Sequence, residues 1–219
     1  RRLGRRALAL VVVNGGWRNF VAANPKWEWL TPTFQLQFDP DGNTSRTVDD
    51  SAFAAPYQDD TVPRAARYFM PDGFYGVMLS YFTYANDGPL VKIDMVHEAV
   101  IRDNHAGAEA AGDPFLSAIR PLPASVGAFS PKWEVIFYPT PESDEIVTAR
   151  CRVWPNQMVA DSDRHAAGFQ FDNVVLAACL AEAERQHEDQ VGKMTQMYAQ
   201  ELQRAILLDR QSKPRFMGY

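Results

Sequence analysis

The densest run of oxygen donors in the chain is Asp39-x-Asp41-x-Asn43-x-Ser45-x-Thr47-x-x-Asp50, which sets ligands at alternate positions with an acid at the twelfth, as a calcium loop does. It departs from that pattern in its chemistry. The glycine, Gly42, stands fourth instead of sixth, the last acid is the shorter Asp, and a strand-like run precedes the string instead of a helix. The segment therefore reads as an acidic turn and loop, and no metal is assigned to it. Asn43-Thr44-Ser45 also has the form of a glycosylation acceptor, a three-residue pattern that arises often by chance.

Other constellations fall short of a reaction. Gly192-Lys193-Met194 lacks the upstream glycine and the hydroxyl residue of a phosphate-binding loop. His97-Glu98 opens a zinc-protease string, but the fifth position is Ile101, so the second ligand is absent. No GxSxG nucleophile turn occurs. His97, His105, His165 and His187 have no sequence-local cysteine, serine or second histidine at ligand or catalytic spacing and read as surface or capping residues. Cys151 and Cys179 are too few for a disulfide framework and read as free thiols. Glu184 and Glu188 form a like-charge pair one helical turn apart, which suits a solvated face or a surface meeting basic residues of another copy. Trp27, Trp29, Phe74, Tyr75, Tyr81, Phe82 and Tyr84 have the rings to stack on sugars or bases, but their alternation favours burial in a core or interface.

Charge narrows the partners further. The 219 residues carry a formal charge of −5, against the clustered cations that a phosphate-gripping surface needs. Its distribution is uneven: four of the first six residues are Arg, residues 39–60 hold six Asp against one Arg, and Arg210, Lys213 and Arg215 crowd the end. Residues 1–16 resemble a signal peptide in their basic and apolar order, but no small-x-small cleavage site follows, so a helix beginning upstream of residue 1 is the expectation. The longest apolar run, 7–13, is far short of the about 18 residues of a membrane-spanning helix.

These residues must be positioned by a chain whose period changes twice. Residues 5–24 have apolar positions three and four apart and predict a helix, interrupted at Asn14-Gly15-Gly16 and stopped by Asn24-Pro25. From Trp27 a two-residue alternation predicts a strand to Phe38, then a turn at Asp39-Pro40-Asp41-Gly42-Asn43 and an irregular loop to residue 60. Residues 67–154 read as short strands, with one-sided alternation at 91–95, 133–138 and 147–153, the last placing the Cys151 thiol inside. A short helix is expected within 96–111, and a proline-bearing connection over 120–131. After Gly168 the pattern is helical to Pro214, as two helices joined near Gly192 or one bent there. The fold class is thus α+β. A helical bundle from the N- and C-terminal segments carries a β-rich inserted domain, divided as 1–26, 27–160 and 161–219.

Several separated phrases bear a resemblance to one family. They are Val13-Asn14-Gly15-Gly16-Trp17-Arg18-Asn19-Phe20, Trp27-Glu28-Trp29-Leu30, Met70-Pro71-Asp72-Gly73-Phe74 and Tyr138-Pro139-Thr140-Pro141, then 176–184 with Ala177-Ala178-Cys179-Leu180-Ala181-Glu182-Ala183-Glu184, 206–209 and the late Gly218-Tyr219. In that order, over nearly the whole chain, they resemble the head-to-tail adaptor, or connector, proteins of tailed bacteriophages. The resemblance implies a non-enzymatic structural virion protein, made in the host cytoplasm and located at the neck between capsid and tail. It implies a homo-oligomeric ring, commonly of twelve subunits, that binds the portal protein and the next tail or nozzle protein and continues the DNA channel without sequence-specific contact. No cofactor, metal or membrane is expected.

On that reading an apolar and basic tail, Arg210, Lys213, Arg215, Phe216, Met217 and Tyr219, docks on the portal as a segment that folds on binding. The acidic loop of Asp39, Asp41, Asp49, Asp50, Asp59 and Asp60 faces the lumen, where an acidic wall repels phosphates, or the tail-side partner. The alternatives are a carbohydrate-binding β-rich module using its aromatics, with calcium at 39–50, and a hydrolase built on His165 or His97 with a nearby Asp.

Overall fold

The computed structural model describes residues 2–24, 26–41, 61–85, 91–107, 110–122, 132–160, 162–188 and 192–212. They form two compact units. Residues up to Leu30 and from Pro155 onward make a helical unit, and Thr31–Trp154 makes a β-rich one. The class is α+β, with four helices and a curled mixed sheet of eight strands among the described residues.

The sheet comprises β1 (Thr33–Gln37), β2 (Arg67–Phe69), β3 (Phe74–Met78), β4 (Phe82–Tyr84), β5 (Lys92–Met95), β6 (Leu116–Pro121), β7 (Trp133–Tyr138) and β8 (Ile146–Val153). Their order is β1-β8-β4-β5-β6-β7-β2, with β3 also paired to β8. The eight-residue β8 is the organising strand, because it carries β1 along one edge while pairing with both β4 and β3. Only β5 and β6 run parallel, and the helix α2 (Glu98–Gly107) links them, as a parallel crossover requires. Gly73, in the turn before β3, has φ +77 and lies so near Trp154 that a Cβ there would meet its carbonyl oxygen at 2.1 Å. Glycine is the residue that satisfies both conditions.

Period-two patterning puts Leu36, Phe82, Ile93, Phe137, Val147 and Cys151 in one core, where Phe137 meets Phe38 and Phe82 edge-on at centroid distances of 5.0 and 5.3 Å. The Cys151 thiol is fully buried there, and burial pushes its pKa up to about 11, which keeps it a protonated packing group. Tyr68 is buried in the same core with its hydroxyl donating to the Ala65 carbonyl at 2.7 Å and accepting from the Asp39 amide at 2.9 Å.

The strand expected at 133–138 is present, but it is buried on both faces instead of one. The face carrying Glu134 and Ile136 lies against a second core built from Val62, Ala66, Ile101 of α2 and Ala118. There Glu134, with 0% exposure, accepts from Arg67 Nε at 3.0 Å and from the Arg120 guanidinium, while Glu98 lies 4.0 Å from Arg120. Strand register makes this possible, since Arg120 stands directly opposite Glu134 and Arg67 opposite Ile136 two residues along the same face.

The remaining differences have local causes. The chain between Trp27 and Leu30 is a 3₁₀ turn and not the start of a strand, because Trp27 and Leu30 are both buried in the helical unit and a strand would point them to opposite sides. β6 extends through Arg120 and Pro121, where the proline-bearing connection is expected to begin, because it pairs with β7 over its whole length. Residues 123–131 of that connection, and 42–60 of the acidic loop, lie outside the described residues.

Replacing Glu134 with Ala should lower unfolding stability by about 3–5 kcal/mol in urea melts, because two guanidinium groups lose their shared buried partner. A loss below about 1 kcal/mol would contradict the assignment of Glu134 as the keystone of this face.

Candidate functional site

The helical unit contains α1 (Arg2–Ala23), α3 (Asp172–Glu188) and α4 (Lys193–Ser212), with α3 packed against both others. The expected break at Asn14-Gly15-Gly16 is absent, and α1 runs through it as one helix. The glycines serve packing. A Cβ on Gly16 would stand 2.5 Å from Cys179 Cα and 2.8 Å from the Ala178 carbonyl carbon, so the two backbones meet where only hydrogen fits. Asn14 then clamps the returning chain, donating from Nδ2 to the Met158 carbonyl and accepting from the Met158 amide, each at 2.9 Å.

Below that crossing is a ring-rich core. Trp17, Phe20, Trp27 and Phe171 are buried, Trp29 stacks on Trp17 at 5.6 Å, and Phe20 and Trp27 lie 4.9 Å apart. Trp27 donates its indole N–H to the Phe20 carbonyl at 3.3 Å. His165 lies against Trp17 at 5.5 Å with Nε2 2.8 Å from Asp172 Oδ1, fixing the turn that precedes α3.

Three acids on the helices face inward. Glu182, 4% exposed, accepts from Arg185 at 2.6 and 3.0 Å, Gln186 at 2.7 Å and Asn19 at 3.1 Å, and the Arg185 guanidinium holds its carboxyl below the usual range. Asp209, 3% exposed, accepts from the Glu28 amide at 3.1 Å and ties the far end of α4 to the 3₁₀ turn. Glu184 receives the Gly192, Met194 and Thr195 amides at 3.2, 3.2 and 3.0 Å and the Thr195 hydroxyl at 2.9 Å. It thereby caps α4 from the neighbouring helix, satisfying first-turn amides and matching the helix dipole. The reading of Glu184 as one member of a solvated or partner-facing acidic pair is corrected by these bonds.

Each candidate residue can now be placed. Arg210 is exposed near the end of α4, whereas Lys213, Arg215, Phe216, Met217 and Tyr219 lie outside the described residues. Asp39 is half-buried and Asp41 exposed at the turn after β1, while Asp49, Asp50, Asp59 and Asp60 lie outside them, as do Asn43, Ser45 and Thr47. Among the described residues no three His, Cys, Asp or Glu side chains converge as a metal site. Of the seven aromatics considered for stacking, Trp27, Phe74, Phe82 and Tyr84 are buried and Trp29 is half-buried against Trp17, leaving Tyr75 tilted against Trp154 and Tyr81 beneath the Lys92 ammonium at 4.9 Å.

The histidines divide. His97 Nδ1 accepts from the Ala99 amide as a cap of α2, and His187 is exposed. His105 departs from the surface expectation: it is buried, 2.9 Å from the Phe137 carbonyl and edge-on to Tyr138.

Two surface features were not legible beforehand. One is an opening of about 540 Å³ across α3 between α1 and α4, with an alanine floor and Tyr198 and Leu202 on one side. Tyr198 Oη is buried there without a hydrogen-bond partner, and burial pushes its pKa up to about 12. The other is a set of uncovered apolar side chains on all three helices, including Leu8 and Val11 at 49% and 54%, Leu176 at 59% and Leu207 at 56%. Apolar periodicity identifies such residues as helical but cannot say which stripe the chain itself covers. No helix among the described residues is long and apolar enough to cross a membrane.

No protein-family model matches this chain, and no curated protein sequence matches it.

The Glu184 cap is pH-dependent. Burial pushes its carboxyl up, but the bonds from Thr195, Met194 and Gly192 outweigh that and carry the folded-state pKa below the usual value. Its contribution is therefore present above the unfolded carboxylate range and lost as pH falls through the lower folded value. Circular dichroism titrated downward from neutral pH should show an acid loss of helix that is smaller in Glu184→Gln than in the unaltered protein. An identical acid limb in both would remove Glu184 from the account.

Proposed function

We propose that this chain is a structural virion protein whose terminal segments form a helical bundle with a β-rich domain inserted between them, assembled as a ring that joins portal to tail. The observation that carries the reading is the uncovered apolar surface on α1, α3 and α4. Apolar side chains exposed by half or more on each of three helices, Val11, Leu176 and Leu207, cost solvation in a lone subunit and stabilise an assembly that buries them. The ordered phrases that resemble phage adaptors agree with a structural role, and Asn14, Glu182, Glu184 and Asp209 are engaged in holding the helical unit together.

On this proposal the ring carries twelve subunits, docks on the portal at one end and meets the next tail or nozzle protein at the other. An acidic lumen passes DNA without gripping its phosphates. The basic and apolar tail, Arg210 with Lys213, Arg215, Phe216, Met217 and Tyr219, is the portal-docking element.

Removing residues 212–219 should abolish co-sedimentation with portal rings while leaving the circular-dichroism spectrum and melting of the monomer unchanged. Undiminished portal binding by the truncated protein would contradict the role given to the tail.

A further inference from the structure

We propose that β1 is a pairing edge, and that a second copy of this chain binds it by laying its own β1 antiparallel alongside, so that the sheet continues from one copy into the other. β1 stands at one end of the strand order and is paired, among the described residues, on its β8 side alone. The register shows which main-chain groups that leaves. The Phe38 amide donates to the Glu145 carbonyl at 2.9 Å and the Cys151 amide to the Pro32 carbonyl at 3.3 Å, so the residues of β1 that bond to β8 are the even-numbered ones. Thr33, Gln35 and Gln37 turn their N–H and C=O groups away from β8, and their side chains are exposed. Among the described residues no main-chain hydrogen bond reaches them from that side.

This edge is undefended. Natural sheets blunt an open edge with charge, proline, a bulge or a very short strand. β2, at the other end of the order, is three residues long and turns Arg67 inward onto Glu134. β1 runs through five consecutive register pairs without a bulge and contains no charge and no proline. Outward N–H and C=O groups at strand spacing are recognised by an extended backbone, which is the chemistry of strand addition.

The residues of β1 select a copy of themselves. Laid antiparallel about Gln35, two such strands set Gln35 opposite its own counterpart, Thr33 opposite Gln37 and Phe34 opposite Leu36. One face then pairs amides and hydroxyls with no like charges, and the other pairs apolar side chains. Phe34, half-buried and edge-on to Phe82 at 5.8 Å, gains an apolar neighbour on its open side. The contact is isologous and closes at two copies, so it is a pairing of free subunits and does not rest on the ring reading. A five-residue edge buries less than a standard interface, so the pair forms as concentration rises and separates on dilution.

The test is sedimentation velocity of the full chain, without portal, over a range of concentrations. The unaltered protein should shift from monomer to dimer as concentration rises. Gln35→Lys and Gln35→Glu each set like charges opposite one another, and each should raise the concentration for half-maximal pairing by about tenfold or more. An equimolar mixture of the two variants should pair again, as a heterodimer that native mass spectrometry weighs. Both changes fall on an exposed side chain, so monomer melting should be unchanged. Deuterium uptake by residues 33–37 of the unaltered protein should fall as it pairs, a readout that needs no variant. A protein that stays monomeric throughout, a Gln35→Lys variant that pairs as well as the unaltered chain, or a mixture of variants that does not pair would overturn the proposal. Protection of residues 33–37 that appears only when portal is added would also overturn it, and would assign the edge to a strand of the portal.

Discussion

The backbone approach of α1 to α3 at Gly16 is the contact on which the helical unit depends. With Cys179 Cα standing 2.5 Å from where a Cβ would be, only glycine permits it, and its consequences spread in both directions. On one side it brings Trp17 and Phe20 onto Phe171, Trp27 and Trp29. On the other it brings Asn19 to Glu182. α1 and α3 lie on opposite sides of the β-rich segment in sequence, so a single small residue joins the two ends of the chain into one unit. The loop-closure cost of a separation this long grows only logarithmically, and the aromatic burial that follows exceeds it.

A second theme is where the acids go. The chain is acidic overall, and a surface reading of that charge is natural, yet Glu134, Glu182 and Asp209 are nearly or fully buried and Glu184 is spent on a helix cap. Glu134, Glu182 and Glu184 each accept several hydrogen bonds and Asp209 accepts the Glu28 amide, which is what makes a buried carboxylate tolerable. The electrostatic character proposed for a lumen therefore rests on the remaining acids, and net charge by itself overstates what faces solvent.

The sequence made some of this legible and concealed the rest for physical reasons. Period two placed β5, β7 and β8 and the inward Cys151, and period 3.6 placed α1, α3 and α4, because local patterning reports which side of an element is apolar. It could not report a second apolar layer. Glu134 and Ile136 look like an outward face until α2 covers them. Gly15-Gly16 looks like a helix break because intrinsic propensity carries no information on a neighbouring backbone. Trp27 and Leu30 share an alternating pattern with the strand beyond them, but tertiary burial claims both for the helical unit. The cap by Glu184 and the opening beside Tyr198 exist only once the helices are packed, so no spacing rule signals either. The acidic loop and the tail residues beyond Ser212 remain inferences from composition and resemblance.

The central claim, that the chain builds a ring on a portal, is tested most directly by imaging and weighing the full-length protein with and without purified portal rings. The account requires a discrete ring stacked on the portal, with a mass equal to a whole number of copies, twelve on the proposed symmetry. A persistent monomer that leaves the portal's mass and outline unchanged would contradict it.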